Sequence, residues 1–409
     1  MIRKKTAEYR IVVFLLFLSL GIPMFYFIDG DIKIGGFGFM YQYLFGMGIV
    51  VVACTAFLIH PDIPYFLRLL QDCAALSIVY IILILWSCAI WSVRFERKET
   101  ITKGLFENVY IILAILVAAS VKYLFRKKAV LYCCYAMSIA NILIIIPVLL
   151  KDPPEFLQEL WELVATFGDA TGGLMKAVEI HDLTFAFGII LLYALIKKDL
   201  YGRKQIIALS LIFSVTGLKR IAAAGIVLGF LLYHLMIRIN NYKKYVYLLC
   251  SGIIVATFIY LVAVHAGLYD RLELAGLNTK GRNLIYGYIN KLFYIGPGFI
   301  GNGLGFSSKA WNLPFYSKTV QDAYHNEYLR MYVEVGFCGY FAWLFLHLPF
   351  RIEYFIRKHG KEAGLLYLAT AVYCYITYAT DNTYYYYYLN FAVFLIVTGY
   401  KERKEKLCS

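Results

Sequence analysis

Long apolar runs separated by short polar links make up most of the chain. The runs fall at 11–28, 36–59, 74–93, 105–121, 129–150, 182–196, 205–218, 221–237, 245–265, 326–350, 364–380 and 383–400. Most approach the ~20 residues that an α-helix needs to cross a hydrocarbon layer about 30 Å thick, and 205–218 is short for it. None shows the period-two alternation of a barrel strand. The pattern predicts an all-α fold, a polytopic transmembrane helical bundle of about twelve spans, with residues 1–409 forming one integral membrane domain. The first run has no small-residue cleavage site before Asp29 and reads as a retained helix, not a cleaved signal.

Two links are too long to be simple turns. In 151–182, prolines at 153 and 154 precede Phe156, Leu157, Leu160, Trp161 and Val164 at helical spacing. That stripe predicts an amphipathic helix lying on the membrane surface. The other link, 267–325, lies between the ninth and tenth spans and is predicted to be one long external loop. It is polar and glycine-rich, and its flanking motifs hold most of the chemistry that the apolar pattern does not explain.

Charge adds an orientation. The chain of 409 residues is 61% hydrophobic and 16% charged, against about a quarter charged in a soluble domain. Its net charge is +14, but most Lys and Arg sit in short links and tails, where they set topology and meet anionic lipid. With both termini cytoplasmic, the inside links collect the majority of the 40 basic residues. Arg94, Arg97, Lys98 and Lys103 oppose this arrangement, partly offset by Glu96 and Glu99. No nucleic-acid-binding motif accompanies the charge, which excludes that partner class. Nine cysteines occur without CxxC or Cys/His metal spacing, so neither a disulfide framework, a zinc site nor a cofactor is expected.

A few polar groups stand where a membrane protein needs a reason for them. Lys219 and Arg220 interrupt TGLKRIAAAG between two spans. Snorkelling at a helix end accounts for them; an anion site on the outer face also does, with Ala222, Ala223, Ala224 and Gly225 allowing close packing. Arg282 opens the segment RNLIYGYI, and a guanidinium suits bidentate phosphate binding. The glycine stretch GPGFIGNGLG is turn chemistry that could bring backbone N–H groups near an anion. It lacks the GK[ST] ending of a nucleotide loop.

His325 lies in DAYHNEYLRMYVEVG. Asp322 precedes it, and Asn326, Arg330 and Glu334 follow on one helix face at i, i+4, i+8 spacing. A neutral imidazole can take a proton from a hydroxyl near neutral pH, with Asp322 or Glu327 orienting it. Asp381 and Asn382, between the last two spans, make either a tight turn or a carboxylate partner for an arginine or a sugar hydroxyl. The tyrosine run 384–388 suits a membrane interface.

Taken in order, TGLKR, GRNLIY, PGFIGNGLGF, HNEYLRMYVEVGFCGY and the terminal DN resemble the bacterial O-antigen polymerase and O-antigen ligase superfamily. The motif-bearing resemblance covers roughly 210–400; the N-terminal half matches only in hydropathy. It implies a metal-independent glycosyltransferase of the bacterial inner membrane, acting at the outer face on a glycan carried by undecaprenyl diphosphate. Arg220 and Arg282 would bind the departing diphosphate, and His325 would deprotonate the acceptor hydroxyl. Leu218 and Lys219 stand where the family often has a small residue before the arginine, so Lys219 is an alternative phosphate ligand. Asp322, Asn326, Arg330, Glu334 and Asp381 would support the site. A chain-length regulator and a flippase are implied as partners. Repeat-unit polymerisation is favoured over ligation to a lipid A core or other surface acceptor. A transporter or flippase of the same glycan is the rival from another class, disfavoured because the noteworthy charge gathers at one face.

Overall fold

The computed structural model describes residues 2–27, 32–34, 37–39, 41–165, 181–217, 219–277, 279, 281–307 and 324–398. Asp322, most of the second half of the external loop and the C-terminal tail lie outside the described residues, as does 166–180 of the first loop. The described chain is helical, apart from an antiparallel hairpin that pairs Ile32 with Phe39 and Ile34 with Phe37. Every predicted apolar run falls on a helix, although helix boundaries move.

Among the described residues, five helical stretches are long and apolar enough to cross a membrane: Ile63–Arg94, Lys98–Lys151, Arg220–Arg238, Tyr242–His265 and Glu327–His359. Tyr43–Ile59, Asp182–Ile196 and Tyr387–Val397 are apolar but shorter. This is compatible with a multi-pass membrane protein.

Local signals explain the largest boundary correction. The helix expected from 74 begins at Ile63. The Asp62 side chain accepts a hydrogen bond from the N–H of Tyr65, at 3.2 Å, and Pro64 stands in the first turn, where no intrahelical N–H is needed. Asp62 also pairs with Arg126 at 2.8 Å. Arg68, which precedes the apolar run at 74, therefore lies inside a helix. The helix expected from 36 starts at Tyr41, behind the hairpin, whose glycine-rich sequence is a poor helix former.

The structure divides into two compact units, 1–74 with 113–230 and 386–409, and 75–112 with 231–385. In the first, the helices Ala129–Lys151, His181–Ile196, Arg203–Thr216 and Tyr387–Val397 pack together. Phe187 stacks on Phe213 at 5.1 Å. Asp182 accepts a hydrogen bond from the N–H of Leu389 at 2.9 Å, capping the last helix from a neighbouring one. The helix Pro153–Ala165 packs Phe156 against Ile145, Val148 and Leu149. It leaves Leu157 and Trp161 exposed, 58% and 71%.

The second unit has a core rich in tyrosine. Trp343 stacks with Tyr375 and meets Tyr340, Tyr378 and Tyr384 edge-on or tilted, at 5.6–6.3 Å. The tyrosine run is divided: Tyr385 and Tyr386 are half-buried. Tyr384 is fully buried in this core, while Tyr387 and Tyr388 are buried in the first unit. Arg351, which directly follows the apolar run 326–350, is buried too. Its guanidinium donates to the Leu76 carbonyl and to the Tyr367 hydroxyl, and faces the Tyr80 ring.

Candidate functional site

The helix Glu327–Phe345 organises the second unit, and its two special points have different surroundings. It begins at Asn326, whose side-chain oxygen accepts the N–H of Leu329 at 3.1 Å, an N-cap in extended conformation. Immediately before it, His325 has φ +48°, a left-handed backbone uncommon for a residue with a side chain. Two contacts hold it there. The His325 N–H donates to Asn382 Oδ1 at 2.9 Å, and the Tyr286 hydroxyl donates to the His325 carbonyl at 3.4 Å.

The turn at 379–382 gathers the remaining groups. The His325 Nδ1 lies 3.7 Å from Asp381 Oδ1, and Asp381 also accepts the N–H of Asn382 at 2.9 Å. Arg282 Nη2 donates to the Thr380 carbonyl at 3.0 Å. Its Nε is buried without a hydrogen-bond partner among the described residues. Tyr260 donates to the Ala379 carbonyl at 3.0 Å and accepts from Asn326 Nδ2 at 3.4 Å. One short turn thus contacts both His325 and the Arg282 guanidinium and supplies the carboxylate beside the imidazole. The side chains of His325 and Asp381 are 25% and 13% exposed, so the imidazole is accessible while its partner is mostly covered.

Tyr286 sits beneath this arrangement. Burial pushes its phenol above the ordinary value of 10, with Tyr269 raising it further and Arg282 opposing. A phenol kept neutral remains a donor to the His325 carbonyl throughout the neutral range.

Arg282 begins the helix Arg282–Ile289, preceded by Gly281 at φ +78°. Ile285, Tyr286 and Ile289 face the core. This amphipathic turn fixes the entry angle of the arginine.

The second special point is Gly336, with φ +70° and ψ −173°, where the helix breaks. The freed carbonyls are met by the glycine stretch. Asn302 N–H donates to the Val333 and Glu334 carbonyls, and Gly303 N–H donates to Glu334 at 2.7 Å. Phe337 N–H donates back to Phe299 at 2.8 Å, and Trp86 Nε1 donates to Val335 at 2.8 Å. The Leu304 N–H goes to Ser87 Oγ and the Ser307 N–H to Glu334. Within this stretch, the N–H groups of Asn302, Gly303 and Leu304 thus go to protein acceptors and not to an anion.

Between the two points, Arg330 Nη2 pairs with Glu107 at 2.6 Å and its Nε lies 3.6 Å from Glu334. The guanidinium lies over the Tyr385 ring at 3.9 Å. The expected i, i+4 pairing of Arg330 with Glu334 is present. Asn326 is turned to the cap and to Tyr260 instead. Arg330 and Glu334 are held by an internal network with Glu107, which does not include His325 among the described residues.

The structure thus brings together Arg282, His325, Asn326 and Asp381 of the predicted residues. Lys219 and Arg220 belong to the first unit, where Arg220 opens the helix Arg220–Arg238 and is exposed. Asp322 lies outside the described residues. The carboxylate beside the imidazole is that of Asp381, and Glu327 is fully buried. Sequence reasoning gave no role to Tyr260, Tyr286, Glu107 or the Thr380 carbonyl. Tyr286 lies within the GRNLIY motif and had a signal; Glu107, 223 residues from Arg330, had none. Among the described residues, no group of three His, Cys, Asp or Glu side chains is arranged to hold a metal ion. No family model, curated protein or solved structure matches this chain.

Proposed function

We propose that this chain is a membrane glycosyltransferase that polymerises polysaccharide repeat units, transferring a glycan from an undecaprenyl-diphosphate donor to a sugar hydroxyl. The observation that carries the proposal is the 379–382 turn. It holds the partly exposed His325 beside Asp381 and anchors Arg282 with its Nε unpartnered among the described residues. Transfer to a hydroxyl needs a base for the proton and positive charge for the leaving diphosphate. In this reading the acceptor oxygen attacks the anomeric carbon and the bond to the diphosphate oxygen breaks. His325 takes the hydroxyl proton, Asp381 stabilises the imidazolium and Arg282 meets the charge developing on phosphate. The site works at the outer face of a bacterial inner membrane, in a twelve-span arrangement with both termini cytoplasmic.

Glycan analysis in a strain lacking this gene tests the proposal, with complementation by wild type, His325→Ala and Arg282→Ala at matched membrane levels. The expected result is a ladder of repeat lengths with wild type and a single repeat with the variants. Long lipid-linked polymer left unattached in the deletion strain would overturn polymerisation in favour of ligation. A wild-type ladder with His325→Ala would overturn the base assignment.

A further inference from the structure

A cleft lies at the end of the helix Ile63–Arg94. Arg94 and Lys291 line one cleft of about 290 Å³ with Tyr294, Gly298 and Ile300. That is the small end of ligand pockets, which span ~300–1,000 Å³. It has room for a headgroup and not for an oligosaccharide.

Four observations give the cleft a chemistry. Both cations are exposed, and among the described residues neither is held in an ion pair. Glu96, the acid nearest to Arg94 in sequence, is turned to the N–H of Arg97 at 2.9 Å and the hydroxyl of Thr100 at 3.3 Å. Arg94 ends a helix long and apolar enough to cross a membrane, which puts it at the depth where lipid phosphates lie. The opposite rim is amphipathic, with Tyr294 and Ile300 exposed 55% and 41%, as suits side chains that meet the glycerol and upper acyl region.

The rim is also rigid. Tyr332 donates to the Tyr294 carbonyl at 3.2 Å and accepts the Gly296 N–H at 3.0 Å. A side chain at Gly298 would come within 3.1 Å of the Tyr294 hydroxyl. The GPG turn thus shapes this cleft, which stands apart from the His325 turn.

We infer that the Arg94–Lys291 cleft binds the phosphate of an anionic membrane lipid. Two cations converge on one phosphodiester while Tyr294 and Ile300 flank its glycerol and first methylenes. The inference rests on the chain lying in a membrane and does not depend on the transfer reaction. It also explains why Arg94 resists the positive-inside count, since a cation fixed on a lipid phosphate reports a binding site as well as topology.

The test uses the full-length protein in nanodiscs of phosphatidylcholine with phosphatidylglycerol, read by native mass spectrometry of retained lipid. Wild type is expected to retain phosphatidylglycerol in preference. The double variant Arg94→Ala/Lys291→Ala should lose that preference roughly tenfold, from the attraction of two cations near one anionic headgroup. The charge-keeping pair Arg94→Lys/Lys291→Arg should retain most of it. Equal retention by the double alanine variant, with an unchanged melting temperature, would overturn the site. Displacement of the lipid by millimolar inorganic phosphate would overturn the lipid as ligand and leave a free-phosphate site.

Discussion

The two ends of the first half of one helix, His325–Asn326 and Gly336, are both irregular and both met by a distant segment, yet they are built differently. At Gly336 the freed carbonyls of Val333, Glu334 and Val335 all find donors in 302–303 and Trp86. At His325 the backbone is fixed by Asn382 and Tyr286, while the imidazole remains accessible and the Arg282 Nε lacks a described partner. An irregularity whose freed backbone carbonyls are all satisfied is a joint. One that leaves polar side chains available is where chemistry can be placed. The glycine stretch, the most motif-like part of the chain, belongs to the joint.

The comparison is broken most decisively by His325→Ala. Under the proposed function it should lower transfer by roughly 10²–10⁴-fold, as for loss of a general base, while the melting temperature in detergent barely moves. A large thermal shift with retained transfer would make His325 a structural residue. Next in size, Gly336→Ala should destabilise the protein by about 3 kcal/mol or more. The added Cβ would fall 2.2 Å from the Ile300 carbonyl carbon, on a backbone at φ +70°. A denaturation series that shows no change would mean that the joint rearranges freely.

Glu107→Ala comes third. It strips Arg330 of its closest carboxylate, and loss of one partner of a buried pair costs about 3 kcal/mol. Since the Glu107 side chain is 16% exposed, the loss should lie at or below that figure. Loss of transfer without loss of stability would move Arg330 from the frame into the site. The smallest effect is that of Tyr286→Phe, about 1 kcal/mol for one hydrogen bond. Its sign with pH is fixed: a phenol raised in the folded state contributes stability that is fully present below its ordinary value of 10. That contribution is lost as pH rises through the folded value. The wild-type advantage over Tyr286→Phe should therefore be constant from neutral pH to about 9 and shrink in stronger alkali.

Much of the helical frame was legible because burial in lipid and burial in protein demand the same apolar runs. The differences arose where a polar signal competes with hydropathy. Asp62 and Pro64 started a helix eleven residues before the apolar run at 74. Arg351 sits at a helix junction and reads as a loop cation, yet its charge is taken up by a carbonyl, a hydroxyl and a ring. The tyrosines at 384–388 have amphipathic side chains suited to an interface or a core, and composition does not choose between them. In the site, Arg282, His325 and Asp381 could be picked out as polar groups in costly places. That Thr380 holds Arg282, through a backbone carbonyl, leaves no trace in side-chain pattern.

Synthesis order gives the broken helix a further meaning. Trp86 and the segment 299–303 are translated before Gly336, so the carbonyls exposed at the break meet donors already made when that helix enters the membrane. The turn at 379–382 is translated after His325. A nascent chain can therefore complete its joint first, and His325 meets Asp381 and Asn382 only when one of the last helical connections has been made.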